Sequence, residues 1–377
     1  LFSDELEVEQ AEESKTQIKD WKKNKMIGFE RLSSEESEMK FDVVIGNPPY
    51  QETGEARDEP IYHFFIDEAI KIADKSMLIT PARFLFKAGQ TPKNWMEKML
   101  EDKHWKVQFY ELKSGKVFTG TDIKGGVAIT YRDADKDLGP IGVFTIFEPL
   151  NSIVKKIEEH SDFETFSDLV YPQGIYRFSN KLFSDYPNAE KLQGKGTKNK
   201  IVSKSLIQLD FVFKNKEEKE HVALLGRIGS ERVFRYIKKE YLDLPETFEN
   251  YNVFVPEANG SGALGEVLST PLIGEPLIGH TDTFLSIGNF KTKFEADACI
   301  KFIKTKFARV LLGVLKVTQH NSRKTWYYVP LQDFTVNSDI DWTQSVADID
   351  RQLYQKYDLS PEEIAFIETH VREMDWW

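Results

Sequence analysis

The chain has 377 residues, of which 40% are hydrophobic, 29% charged and 13% aromatic, and its net charge is −11. That length suits two ordinary domains, and the balance excludes a disordered, collagen-like or coiled-coil chain. One cysteine, Cys299, excludes an internal disulfide or a thiolate metal site, and the longest apolar runs, such as 310–315, fall far short of a bilayer span, so the composition is cytosolic in style. The sequence begins at Leu1 without an initiator methionine, as expected of a trimmed chain or a piece of a longer one.

Residues 1–40 are polar and acid-rich, with part of a helix expected at 15–25. The character changes at Phe41: residues 41–45 form a short apolar run of the fully buried parallel-strand type, halted by Gly46 and two prolines. Helical spacing of Ile61, Phe64, Phe65, Ala69 and Ile72 follows, behind a start signal at 58–60. A second buried strand is predicted at 76–80, a helix at 92–100, and strands at 106–111 and 127–131. This order is the carboxyl half of a doubly wound α/β sheet ending in a hairpin. A strand as apolar as 41–45 is normally central, so its lack of a neighbour on one side implies partner strands outside this chain.

After residue 133 the rhythm of alternating strand and helix stops. Residues 150–340 mix short strands with Gly- and Pro-rich turns, interrupted by one helix at 293–315 with a break at Gly313. Ser360, Pro361 and Glu363 make a capping box for a last helix. The division is therefore a polar segment at 1–40, an α/β half-domain at 41–149, a mixed α+β domain at 150–340 and an acidic helical tail at 341–377.

Charge is uneven along the chain. Residues 339–377 carry ten acids against three bases, whereas 191–240 hold thirteen Lys and Arg against six acids, and 291–330 hold nine against two. Such basic windows are what a phosphate-facing surface requires, and also what a set of solvated faces looks like.

The sharpest motif is Asn47, Pro48, Pro49, Tyr50, directly after the first apolar strand, at the sheet edge where α/β folds bind ligands. An aromatic exocyclic amine attacks poorly because its lone pair is delocalised into the ring. Acceptors that hold both its hydrogens favour a tetrahedral nitrogen, and the Asn47 side-chain oxygen and the Pro48 carbonyl are such acceptors. The two prolines fix the backbone, and Tyr50 offers a ring for a base to stack on. A rigid turn after a strand, for which Asn-Pro-Pro is ordinary, is the local-structure alternative, and the strand directly in front of the motif favours the functional reading.

With its strand, the motif resembles that of gamma-class, amino-methylating adenine DNA methyltransferases, particularly the large ones of bacterial restriction-modification systems. The stretches Ile61, Tyr62, His63, Phe64, Phe65 and Met77 to Phe84 are similar to the family's next motifs. Val117 and Phe118 before Gly125 and Gly126, and the segments around 287–290, 305–307 and 328–330, are similar to its later motifs and its target-recognition domain. The resemblance implies a partial Rossmann-like methyltransferase sheet followed by a target-recognition domain. It implies transfer of a methyl group from S-adenosylmethionine to a flipped adenine in a specific sequence of double-stranded DNA, in the bacterial cytoplasm. Asn47 and Pro48 would hold the amine, Tyr50 and Phe118 would sandwich the base, and Phe65 would touch the adenosyl group.

The family's glycine-rich cofactor loop has no counterpart in residues 1–40, so the rest of the cofactor site is expected from a missing amino-terminal half, and a restriction subunit is a second expected partner. Phosphate contacts are expected from Arg227, Arg232, Arg235, Lys304, Lys306, Arg309, Lys316, Arg323 and Lys324. Two other readings stay open: a DNA-specificity subunit without catalysis, and a methyltransferase acting on RNA or protein glutamine. No metal site is expected: His63 and His280 lack partners, Cys299 reads as core, and the spacing of Asp210, Glu217 and Lys219 reads as a solvated face; a core position is the lesser alternative for Phe118.

Overall fold

The computed structural model describes residues 6–10, 16–20, 25–28, 41–52, 58–87, 90–193, 196–316 and 318–374. The chain divides into two units, Leu1–Ile146 and Phe147–Trp377.

The first unit opens with three antiparallel strands, β1 (Leu6–Gln10), β2 (Thr16–Asp20) and β3 (Lys25–Gly28), joined in that order. The helix expected at 15–25 is therefore replaced, over its described residues, by extended backbone. The register sets Val8 opposite Ile18 and Ile18 opposite Ile27.

Next come β4 (Phe41–Gly46), β5 (Gln51–Glu52), β6 (Glu59–Pro60), α1 (Tyr62–Ile72), β7 (Ala73–Pro81), α2 (Lys93–Glu101), β8 (Trp105–Glu111) and β9 (Val127–Asp133). The main sheet runs β4-β7-β9-β8, with β4 parallel to β7 and β9 antiparallel to both its neighbours. Its core holds Phe84 stacked on Trp105 at 5.4 Å with Trp95 edge-on, and α1 turns Tyr62, Ile66, Ala69 and Ile72 inward at helical spacing. Strand β4 departs from the fully buried reading. Its face bearing Val44 packs toward the core, but Val43 is 46% and Ile45 67% exposed, and no described strand pairs with its second edge.

The second unit contains α3 (Glu148–Glu159), β10 (Arg177–Phe178), α4 (Asn180–Asp185), α5 (Pro187–Leu192), α6 (Ser205–Gln208), β11 (His221–Ile228), β12 (Glu231–Lys238), β13 (Leu242–Asp243), β14 (Tyr251–Pro256), β15 (Leu272–Gly274), β16 (Ile278–His280) and β17 (Phe284–Phe290). Four helices follow, α7 (Lys293–Lys304), α8 (Lys306–Leu315), α9 (Val346–Lys356) and α10 (Pro361–His370). Small sheets β12-β11-β16 and β15-β14-β17 replace a single large one, in keeping with the mixed α+β expectation. The helix expected at 293–315 is two helices, and the break lies at Thr305 rather than Gly313. Thr305 leaves the helical region (φ −58°, ψ 149°), and its hydroxyl accepts from Ala308 N at 3.0 Å, capping α8. The buried Asp350 carboxylate takes Lys306 N and Phe307 N at 3.0 and 2.9 Å, completing that helix start. The capping box at Ser360 forms as the sequence implies.

Candidate active site

Strand β4 ends at Gly46, and Asn47, Pro48, Pro49 and Tyr50 leave the sheet at its carboxyl edge. The Tyr50 carbonyl accepts from Ile61 N at 3.1 Å, and the β5–β6 pairing sets Gln51 opposite Pro60, so the motif is tied to the start of α1. The motif borders a cavity of about 660 Å³ whose walls include Asn47, Pro48, Tyr50, Tyr62, Arg83 and Phe118. Two aromatic rings from opposite ends of the first unit's main sheet sequence, Tyr50 and Phe118, thus line the same space. Both are half-buried; Phe118 is not a core residue. The Tyr50 hydroxyl is buried without a hydrogen-bond partner among the described residues, and burial raises its pKa above the ordinary phenol value. Burial thus favours its neutral form.

A second cavity of about 200 Å³ lies against the same motif, its wall made by Val44, Gly46, Asn47, Pro48, Phe65, Ala69, Ile72 and Leu78 with one charged residue, Glu68. Asn47 and Pro48 line both spaces. Phe65, 39% exposed, belongs to the second one only.

The loop bearing Phe118 is held by a buried serine that the sequence reading missed. Ser114 Oγ accepts from Ile123 N at 2.8 Å and donates to Thr121 O at 3.2 Å, while Phe118 N bonds Ser114 O at 2.8 Å. The Thr121 hydroxyl donates to Phe118 O at 2.8 Å. Arg83, also missed, follows the end of β7, and its Nε donates to Lys124 O at 2.6 Å. Its position right after a strand at the sheet's carboxyl edge is the signal that could have found it. The glycine pair fits this arrangement. Gly125 (φ +84°) leaves 2.9 Å between a Cβ position and Arg83 Cγ, and Gly126 (φ +78°) leaves 2.3 Å to Glu111 O, so neither position has room for a side chain. Tyr62 is fixed by a 2.7 Å hydrogen bond between its hydroxyl and Thr91.

The expected phosphate contacts separate into two sets. Lys304, Arg309 and Lys316 are buried, at 5%, 3% and 4% exposure, so the expectation that they face phosphates does not match their placement. Arg309 donates to the carbonyls of Lys304, Thr305, Glu266 and Arg372, and Lys316 to those of Asn259 and Thr318; burial pulls all three cations' pKa values down, Arg309 to about 10. Lys306 pairs with Glu368 at 2.5 Å, and Arg323 with Asp168 at 2.8 Å. Lys324 is exposed. Arg227, Arg232 and Arg235 lie on the β11–β12 hairpin.

His63 is buried, and burial depresses its pKa; His280, pushed down to about 4, bonds Ser286 Oγ and Thr281 O and is ringed by Tyr176 and Phe254. Cys299 is fully buried in α7, where burial raises its thiol pKa. Asp210, Glu217 and Lys219 are all exposed. No helix among the described residues is long and apolar enough to cross a membrane.

Residues 2–118 match the family described as Eco57I restriction-modification methylase. A Mycoplasma pneumoniae protein described as an uncharacterized adenine-specific methylase is 35% identical over 95 residues, covering 24% of this chain and 22% of its own. Two solved structures align over 87% of the chain. One is the type IIL restriction-modification enzyme MmeI in complex with DNA, 9% identical, with TM-score 0.34 and 56% of its own chain covered; the other is the type IIG restriction endonuclease BpuSI, at 10%, 0.31 and 53%. The chain thus spans about a fifth of the curated relative's length and just over half of each of the two structures. Over residues 2–118 the chain is similar to the Eco57I restriction-modification methylases, and the resemblance carried by Asn47, Pro48, Pro49 and Tyr50 is borne out there.

Proposed function

We propose that the first unit carries the acceptor side of an adenine-specific DNA methyltransferase, built on a partial Rossmann-like sheet, within a restriction-modification protein of the cytoplasm. The observation that supports this most is that Asn47, Pro48, Tyr50 and Phe118 line one 660 Å³ cavity, inside the size range of small-molecule sites. A flipped adenine would sit between the Tyr50 and Phe118 rings, with its amine on Asn47 Oδ1 and the Pro48 carbonyl. Those two acceptors pull the amine hydrogens out of the ring plane and restore the nitrogen lone pair, and no titrating base is needed.

S-adenosylmethionine, when bound, supplies an electrophilic methyl group. The residues present fit part of it: Phe65 with Val44, Ala69 and Leu78 forms an apolar wall for its adenosyl end, and this second cavity shares Asn47 and Pro48 with the first. Its 200 Å³ is below the roughly 300 Å³ at which small-molecule sites begin, so the remaining wall belongs elsewhere. The unpaired edge of β4, together with the exposed Val43 and Ile45 on the face opposite the cavity-lining Val44, supports a reading in which further strands, from the full-length protein or a partner subunit, complete the cofactor site. The second unit is proposed to read double-stranded DNA.

The test is substitution of the two rings in the full-length protein. Stacking on an aromatic side chain is worth about 1–3 kcal/mol per base, so Phe118→Ala and Tyr50→Ala should each lower kcat/KM for adenine methylation by roughly 5- to 150-fold, with Phe118→Trp nearly unaffected. A Phe118→Ala protein that methylates at the unaltered rate would remove the sandwich.

A further inference from the structure

The β11–β12 hairpin holds an arrangement that folding alone disfavours. Its register sets Arg227 directly opposite Arg232, two cations on one face of the sheet. Like charges directly opposite on a ladder destabilise it. No carboxylate among the described residues offsets them, and the pressure on Arg232 comes from burial and from Arg227 itself. Glu231, the one acid between them in sequence, pairs with Ile228 on the opposite face. Arg227 uses one amine on Ser230 O at 3.2 Å, and its buried Nε has no partner among the described residues. Arg232 spends one amine on Thr270 O at 2.8 Å, and its guanidinium lies 5.7 Å from the Phe284 ring centre.

The shape is as informative as the charge. Strand β16 pairs with β11 only from Ala223 to Leu225, so residues 226–233 continue as a two-stranded ribbon, anchored at its root where Gly226 packs on Leu206 and Thr281 and Arg227 N donates to Ser203 Oγ at 3.3 Å. Gly229, at φ +62°, is the first of the two turn residues, the position where a tight hairpin turn of this length requires glycine. The next pair on the arginine face is Leu225 with Phe234: Leu225 is buried against Phe254 and Phe284, whereas Phe234 is 44% exposed, so this face opens to solvent only toward the turn and along β12. A two-stranded ribbon fits the major groove of B-form DNA, and paired guanidiniums suit phosphate oxygens.

We infer that the tip of this hairpin is a DNA-docking element, in which Arg227 and Arg232 together clamp the phosphates that flank a groove. The inference rests on the DNA reading of the second unit given above, and it separates these two arginines from the buried cations of the carboxyl-terminal helices. In the absence of DNA the pair repels itself, and a bound phosphate relieves that repulsion.

The experiment compares the full-length protein with its Arg227→Gln/Arg232→Gln variant, using a fluorescein-labelled duplex of arbitrary sequence, a single-stranded RNA of equal length, and thermal unfolding without nucleic acid. Two lost phosphate contacts flatten the slope of log affinity against log salt by about two units, so the affinity lost between about 50 and about 200 mM salt shrinks roughly tenfold. The unfolding midpoint should stay or rise. A variant with an unaltered salt slope overturns the inference while leaving the DNA reading in place, and so does one whose midpoint falls by several degrees. Failure of the unsubstituted protein to bind the duplex, or its preference for RNA, overturns both. Arg235→Gln, on the opposite face of β12, should leave the slope unaltered and guards against a general charge effect.

Discussion

Ser114→Ala tests whether the position of Phe118 matters to catalysis. The Ser114 side chain is 3% exposed, and its oxygen takes the Ile123 N–H at 2.8 Å and donates to Thr121 O at 3.2 Å. Alanine leaves that N–H without its acceptor and removes the contacts of the serine oxygen with the Thr121 carbonyl and hydroxyl. A buried group stranded in this way costs about 1–3 kcal/mol, so about 2 kcal/mol is expected. For a unit of 146 residues this lowers the melting temperature by roughly 4–8 °C. If the loop must be re-ordered whenever a base enters, the same 2 kcal/mol appears in kcat/KM as a fall of about 30-fold. The assay is a double-mutant cycle in the full-length protein, with Ser114→Ala, Phe118→Ala and the pair measured for unfolding and for methylation. Because the serine is argued to act only by holding Phe118, it should have no further catalytic effect once Phe118 is gone, while its stability cost persists. Catalytic losses that simply multiply would refute the positioning role.

Other substitutions probe the frame. Gly126→Ala forces a left-handed residue and a Cβ 2.3 Å from Glu111 O, so it should cost at least about 2 kcal/mol by urea unfolding, whereas Gly120→Ala, where no atom lies within 4 Å, should cost only the about 1–2 kcal/mol of backbone strain. Glu266 accepts from Ser261 N at 2.8 Å, from the Ser261 hydroxyl and from Gly262 N at 3.1 Å, and its pKa falls to about 2 against the opposing effect of burial. Its stabilisation is therefore full above pH 4.5 and disappears as pH falls toward 2, so Glu266→Gln should lower stability by about 2 kcal/mol at neutral pH and flatten the acid limb of an unfolding curve. Arg309→Met removes the guanidinium's bonds to four carbonyls, of which Thr305 O keeps the backbone N–H of residue 309, and should cost about 3 kcal/mol by the same measurement, yet leave the salt dependence of DNA binding unaltered.

Local signals carried far in this chain. A short apolar strand followed by Asn-Pro-Pro-Tyr defines its own geometry, because prolines fix the backbone and a strand end fixes the direction in which the motif leaves the sheet. The Ser360 capping box was readable because its partner Glu363 lies three residues away, and the strands after Phe41 because short apolar runs bounded by Gly and Pro mark them even though their partners are distant, as Phe41 with Ala73. What failed was whatever depends on direction in three dimensions. Counting Lys and Arg in 291–330 could not distinguish Lys324, which reaches solvent, from Arg309, whose aliphatic stem packs inside while its guanidinium closes exposed helix carbonyls. Nor could the sequence show that Thr305 rather than Gly313 divides the helix. The deciding partner, Asp350, lies 44 residues from Lys306 and turns two backbone N–H groups into a helix start. Ser114 went unnoticed because a lone serine has no pattern. The exposed face of β4 was masked by composition: Val43 and Ile45 look like core, and only the sheet order leaves them bare.

The most direct measurement is nucleoside mass spectrometry of genomic DNA from cells making the full-length protein or its Asn47→Ala form. The Asn47 oxygen is one of two acceptors assigned to the adenine amine, so N6-methyladenine should accumulate with the unsubstituted protein and fall to background with Asn47→Ala, although both are made in equal amounts. N6-methyladenine at equal levels in both, or a modified cytosine in place of adenine, would contradict the assignment of this cavity.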